Sequence, residues 1–267
     1  MRTEDVLAIA QRELDTVVRT RLLLAFAAGY LGLTVGLAWL VASGSYVGVV
    51  LDTVTPTEAL VPVLAFAVGY RSIVADRERD EIDTLRTYPI SRWRYVAGVY
   101  LGRAVPFVAV LLLGLGAVGA ITAVSGGEKI SIIAAHATAD SSLLYLRFVV
   151  LTVAFGLVVL GVALLVSAAA RSSRGALALA AGAVLALILG MDTGLAATVT
   201  GGLVSPDGVT WLLALSPNSA YRALVFEFCV APIGAAVPVG PAVLPSVLGL
   251  VGWFVATLVL AGRLAWR

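Results

Sequence analysis

Few residues in this chain could do covalent or metal chemistry, and those few stand apart from one another. The lone histidine is His136, the lone cysteine Cys229 and the lone lysine Lys129. A phosphate-binding loop of the Gly-rich type needs a lysine within it, and none surrounds Lys129. The His-Glu-x-x-His zinc pattern is absent, and any Ser-His-Asp arrangement would have to use His136. His136, Met191 and Cys229 are soft or borderline metal ligands, but they form no cluster in sequence. Asp192 and Glu227 are the acids closest to membrane depth, and both fall near the outer ends of apolar stretches. The chain is therefore expected to be no enzyme, with no metal and no cofactor of its own.

The dense exception is the run Ala75–Arg103, ADRERDEIDTLRTYPISRWRYVAGVYLGR. Its charges cannot lie in lipid, yet hydrophobic stretches flank it on both sides. One reading is a solvated loop rich in ion pairs. The other is a docking helix for a partner, favoured by Ile82, Leu85, Tyr88, Pro89 and Trp93, which are apolar or aromatic amid charge. Such residues anchor an interface inside a polar rim.

The elements around it follow from composition. The chain is 60% hydrophobic and 13% charged, with mean hydropathy +1.02, whereas a soluble domain carries about 25% charged residues. Leu22–Leu51 holds no charge at all, and roughly 20 apolar residues cross a bilayer as a helix. Continuous apolar runs such as Leu111–Val124 oppose the alternation of a β-barrel. An all-α polytopic membrane protein is expected, because backbone groups in lipid must be satisfied within each span. Six spans are read at roughly 22–41, 57–75, 95–124, 143–170, 175–198 and 242–262. The second is the weakest, and Arg71 near its end is expected to snorkel to the interface, with facing the bundle interior as the alternative.

Lysine and arginine set the orientation. With the N-terminus inside, 15 of the 18 fall on the cytoplasmic side and only Lys129, Arg147 and Arg222 on the outer side. Both termini and the charged run are therefore assigned to the cytoplasm. Acids interleaved with the arginines argue against a polybasic lipid-binding segment.

Residues 1–21 are read as a separate N-terminal unit, and 22–267 as the transmembrane domain. Val6, Leu7, Ala10, Leu14, Val17 and Val18 recur at helical spacing, with Arg12 on the opposite side. This amphipathic helix is expected to rest in the cytoplasmic interface, with docking on the protein as the alternative. The segment 75–94 is expected to be helical to Thr87, helped by Arg77/Glu81 and Arg79/Asp83 four residues apart. Pro89 should end that helix and Ser91 should cap the next. The short turn Arg171–Arg174 should make the fourth and fifth spans antiparallel neighbours. In the outer region 199–241, Ser216-Pro217-Asn218 reads as the start of a partly re-entrant helix carrying Tyr221, Arg222 and Glu227. Glycine pairs four apart, such as Gly32/Gly36 and Gly98/Gly102, allow close packing. With 27 glycines they are too common to mark a dimer face.

Order and spacing resemble the permease subunits of ABC-2-type ABC transporters. That family has an N-terminal elbow helix, six spans and a coupling helix between spans two and three. Asp76-Arg77-Glu78 fits the acidic start of its coupling pattern, and Pro89, Ser91, Arg92 and Gly98 fall at the expected distances. Asp80 stands where the family often has Gly, and Val99 replaces a common Lys. Tyr70-Arg71-Ser72-Ile73 and Ser216–Arg222 resemble the branch that includes the nitrous-oxide-reductase maturation permease. The resemblance implies a separate cytoplasmic ABC ATPase that binds ATP and Mg, two permease copies (a homodimer or a pair of relatives), and export through the plasma membrane. Lipids are expected partners and nucleic acid is not. It implies an ATPase contact through Asp76, Arg77, Glu78, Arg79, Ile82, Leu85, Tyr88, Pro89, Ser91 and Arg92. The alternatives are a membrane anchor or scaffold using the same helix, or a secondary carrier. Carriers of that kind are built from broken helices around midplane polar groups, and no such pattern is evident in this sequence.

Overall fold

The computed structural model describes residues 3–41, 45–88, 90–125, 141–201, 206–233 and 243–266. Every regular element among them is helical. An amphipathic helix α1 (Thr3–Arg19) precedes the first long apolar helix α2 (Arg21–Val41), and α3 (Tyr46–Gly69) returns. Two short helices follow, α4 (Val74–Glu78) and α5 (Glu81–Arg86). The long helices α6 (Arg92–Val124) and α7 (Ser142–Ala169) come next. Then α8 (Ser173–Leu185) runs through a π-helical turn (Ala186–Gly190) into α9 (Met191–Thr200). Helices α10 (Pro206–Leu213) and α11 (Pro217–Val225) precede the final helix α12 (Val243–Ala265). Six of these helices or helix runs are long and apolar enough to cross a membrane.

Side-chain caps fix several starts. Ser45, Ser91, Ser172 and Ser216 each accept a hydrogen bond from a backbone N–H in the first turn, at 3.2–3.4 Å. The starts expected at Ser91 and at Ser216-Pro217 are both found. Helix α7 is apolar all round and forms the centre of the bundle, packed on α3 and α12 and also on α6 and α11. Its contact with α8 is slight, so the short turn between them does not make them a closely packed pair.

The second span differs from its expectation of 57–75. Helix α3 begins at Tyr46 and takes in Asp52, Thr53, Pro56 and Glu58. These polar residues look like loop in sequence, but the helix accommodates several of them. The Thr53 hydroxyl donates back to the Val49 carbonyl at 2.6 Å, and Glu58 finds a partner on α11. As a result Glu58 sits near the middle of the helix rather than at its start, about 18 Å along the axis from Tyr46 at the usual rise per residue.

Helix α1 docks on the protein through Ile9, Glu13 and Val17, and Leu7 and Val18 remain exposed. Its main neighbour is α6. Glycine at 98 and 102 makes this approach possible. A Cβ at Gly98 would lie 2.7 Å from Ile9, and one at Gly102 only 2.3 Å from the Ala10 carbonyl. The other pair, Gly32 and Gly36, faces open space.

Candidate functional site

The charged run is not one helix. Asp80 adopts a left-handed conformation (φ 57°, ψ 17°), which breaks the segment between α4 and α5. This is the conformation glycine adopts most readily, and it accounts for the Gly often found at this place in the resembling family. The break redirects the arginines. In place of the expected Arg79/Asp83 pair, Arg79 bonds Asp76 at 2.8 Å and Glu81 at 2.8 Å. Arg77 turns inward, where Nη1 donates to the Ala170 carbonyl at 2.6 Å. Its Nη2 donates to the carbonyls of Ala168 and Leu264 at 3.2 and 3.1 Å. One guanidinium thereby satisfies end carbonyls of both α7 and α12, which have no intrahelical partners.

Asp76 is the centre of the cluster. Its carboxylate is buried and accepts from Arg12 Nη2 at 2.6 Å, the Tyr95 hydroxyl at 2.8 Å and Arg79 Nη2 at 2.8 Å. Arg12 also reaches Glu81 and Glu13, each at 2.8 Å. Burial disfavours the Arg12 charge, but Asp76 and Glu13 more than offset it and raise its pKa above the ordinary value. Buried Glu13 in turn holds Arg103, with Nε at 2.9 Å and Nη2 at 2.7 Å, and Arg103 Nη1 donates to the Val68 carbonyl. An unbroken chain of charge-assisted bonds thus joins α4, α1, α6 and the end of α3.

Glu78 fastens the other flank. It accepts from the Ser173 backbone N–H at 2.6 Å and from the Ser173 hydroxyl, at the N-terminus of α8, where helix amides favour an anion. Arg71 is exposed and reaches the same hydroxyl at 3.0 Å. Arg86 bonds Asp83 at 3.1 Å and the Trp266 carbonyl, and its guanidinium lies 5.8 Å from the Trp266 ring.

Among the residues read as a partner contact, Asp76 and Ile82 are buried, Arg77 and Leu85 are half-buried, and Glu78 is exposed but engaged by Ser173. Ile82 and Leu85 pack onto the chain's own core. Arg79, Tyr88, Ser91 and Arg92 are exposed, together with Asp83, Thr84 and Thr87. Pro89 lies outside the described residues, as do Lys129 and His136.

A second ionic site lies within the bundle. Buried Glu58 of α3 takes Arg222 of α11 in a two-pronged contact, Nε to Oε1 at 2.7 Å and Nη2 to Oε2. Helix α11 sits deep beside α7 and α12. The Tyr221 hydroxyl is 2.8 Å from the Thr152 hydroxyl, and its ring stacks on Phe155 at 4.6 Å. The turn before α11 is clasped as well. Trp253 Nε1 donates to the Leu215 carbonyl at 2.8 Å, and Gly249 lets the Ala214 carbonyl approach to 2.1 Å of where its Cβ would be. Trp253 stands about 15 Å into α12 from Val243, so the turn before α11 lies well along the length of α12 rather than at its end.

Sequence reading missed Glu13, Tyr95, Arg103 and Glu58. A signal existed for three of them. Glu13 interrupts an otherwise apolar helical stripe between Ile9 and Val17, and Arg103 and Glu58 are charges inside membrane-length helices, where charge is costly and kept for a purpose.

The whole architecture has relatives. The family model described as ABC-2 family transporter protein matches residues 39–264. The chain is 29% identical over 271 residues to the probable ABC transporter permease protein NosY of Stutzerimonas stutzeri, covering 95% of each chain. It is 29% identical over 273 residues to the protein of the same name from Pseudomonas aeruginosa strain PAO1, covering 96% of each. These matches bear out the resemblance carried by the charged run and by Ser216–Arg222. The chain belongs to the ABC-2 family of transporter proteins, as a multi-pass membrane permease.

Proposed function

We propose that this permease exports a substrate across the plasma membrane, driven by a separate cytoplasmic ATPase subunit that carries ATP and Mg and docks on α4 and α5. Two permease copies would face two ATPases, with both termini in the cytoplasm. One observation carries this reading. The segment from Val74 to Tyr88 is fastened on its inward side to α1, α6, α7, α8 and α12, while its outward side is bare. A segment built that way moves as a unit with the bundle when pushed, which is what coupling between an ATPase and the membrane helices requires.

The outward face also narrows the contact. Asp83, Thr84, Thr87 and Tyr88 are exposed, with Arg79 and Arg92 at the edges. Tyr88 supplies the aromatic anchor and the charges supply orientation. Asp76, Arg77 and Ile82 act from behind by holding the segment in place. In a reconstituted complex, Tyr88→Asp is expected to lower ATPase co-purification about tenfold or more, the scale of a lost interface anchor. Membrane insertion should be unchanged, since Tyr88 is 59% exposed. Undiminished co-purification of Tyr88→Asp would sink this docking face. Substrate-stimulated ATP turnover in the same complex separates an exporter from a scaffold.

A further inference from the structure

The arginines of the charged run are engaged within the fold, Arg77 by helix-end carbonyls and Arg79, Arg86, Arg94 and Arg103 by carboxylates, with Arg92 the exception. Arg12, Arg79, Arg86, Arg94, Arg103 and Arg222 all pair with carboxylates. Arg92 and Arg263 do not, among the described residues. Both flank one end of a groove of about 310 Å³ between α6 and α12. Its walls include Val96, Ala97 and Leu101 on one helix and Leu258 and Val259 on the other, and they are almost wholly apolar. Tyr100 and Phe254 meet edge to face at 5.6 Å at the deep end, and the Tyr100 hydroxyl is spent on the Leu157 carbonyl at 2.9 Å. Trp93 lies at the shallow end against Gly262, with the Arg92 guanidinium 5.2 Å from its ring. Arg92 is one helical turn beyond Val96, and Arg263 is one turn beyond Val259. The two cations therefore stand at the same mouth.

We propose that this groove binds one anionic phospholipid from the leaflet on the arginine-rich side, with the acyl chain between α6 and α12 and the phosphate on Arg92 and Arg263. The dimensions fit. From Trp93 to Leu101 the groove runs about 12 Å along α6, close to the roughly 15 Å of hydrocarbon in one leaflet. The chemistry fits as well: guanidinium groups match a phosphate, an indole belongs at the headgroup level, and an apolar slot takes a chain. A second copy of this chain seated on the same face by two-fold symmetry would set Arg92 and Arg263 against their own copies, with no acid in the first turn of α6 to relieve them.

Native mass spectrometry of the full chain, purified from equimolar phosphatidylglycerol and phosphatidylcholine, tests this. The wild type should retain one phosphatidylglycerol in preference to phosphatidylcholine. Ala97→Phe, which fills the groove and leaves the charges, and Arg92→Gln/Arg263→Gln, which leaves the groove and removes the charges, should each lower that retention about tenfold. Arg171→Gln/Arg174→Gln, on another part of the same interface, should not change it. Equal retention of both lipids, or no effect of Ala97→Phe, overturns the site. So does an equal loss in the Arg171/Arg174 variant, which would mean general surface attraction. Loss of a dimer mass in Ala97→Phe with lipid retention unchanged would assign the groove to a second copy and also overturn it.

Discussion

Asp76 and Glu58 are both carboxylates almost wholly inside the protein, at 2% and 5% side-chain exposure, and both hold arginines that keep about two-fifths of their own surface, Arg12 at 38% and Arg222 at 42%. What differs is how each is embedded. Asp76 collects donors from α1, from the turn between α4 and α5 and from α6, within a chain of ion pairs that continues through Glu13 to Arg103. Glu58 takes both prongs of one guanidinium, on α11, 164 positions away in sequence. The first arrangement ties several elements into one body. The second ties one short helix, α11, to one span. The seating of α4 and the placement of α11 are therefore held by different charges, and each can be broken separately.

The largest effect is expected where the most donors converge. Asp76→Ala removes the buried carboxylate from Arg12 and Arg79, which keep Glu13 and Glu81, and leaves the Tyr95 hydroxyl without its acceptor. Breaking a buried pair costs about 3–5 kcal/mol, and because Arg12 is partly exposed the lower end, about 3 kcal/mol, is expected in a detergent unfolding titration. Asp76→Asn keeps an acceptor and should recover part of the loss. If Asp76→Ala unfolds like the wild type, the cluster is a solvated surface network and the contrast with Glu58 disappears.

Arg222→Ala should follow, at about 2 kcal/mol, since it leaves Glu58 without its two-pronged partner in a low-dielectric bundle but removes a side chain that is itself partly exposed. The double variant Glu58→Leu/Arg222→Met should regain most of the wild-type stability, because an apolar pair of similar size replaces a buried ion pair at little cost. A strictly additive double variant would show that the two residues do not act as a pair. The sharper expectation is functional: the Arg222 variant should still co-purify with the ATPase, and the Asp76 variant should not.

The docking of α1 gives a smaller test. Gly102→Ala puts a Cβ 2.3 Å from the Ala10 carbonyl and 2.6 Å from Glu13 Cβ, so α1 must shift, at a cost of about 1–2 kcal/mol. Gly32→Ala and Gly36→Ala meet nothing within 4 Å and should be neutral or stabilising by up to about 1 kcal/mol through helix propensity. Equal unfolding midpoints for all three would mean that α1 is not seated on α6.

These residues also mark what the sequence could and could not tell. The spans at α2, α6, α7 and α12 were legible because apolar length is a local property, and the caps at Ser91 and Ser216 because cap chemistry is local too. The first half of α3 was not, since Asp52, Thr55 and Glu58 look like loop until Arg222 is brought to Glu58 by the fold. The charged run was legible as a cluster but not in its orientation. Its spacing suggested Arg79 with Asp83, and only the turn at Asp80 gives Arg79 to Asp76 and aims Arg77 at the ends of α7 and α12. Ile82 looked like interface and is core, because a lone apolar residue in a charged helix carries no label for which side it faces.

The smallest effect is expected at that turn. Asp80 is the only non-glycine residue with positive φ among the described residues, and it has no side-chain cap to offset the conformation. Left-handed backbone costs an L-residue on the order of 1 kcal/mol, and aspartate somewhat less. Asp80→Gly should therefore stabilise slightly, by about 0.5 kcal/mol, against glycine's greater freedom in the unfolded chain. Asp80→Val, β-branched, should destabilise by about 1–2 kcal/mol. The pair isolates the backbone from the charge, because both variants lose the carboxylate and only one tolerates the turn. If the two behave alike, the aspartate's charge rather than its conformation matters here, and the break between α4 and α5 would not be what points Arg77 inward and gives Arg79 to Asp76.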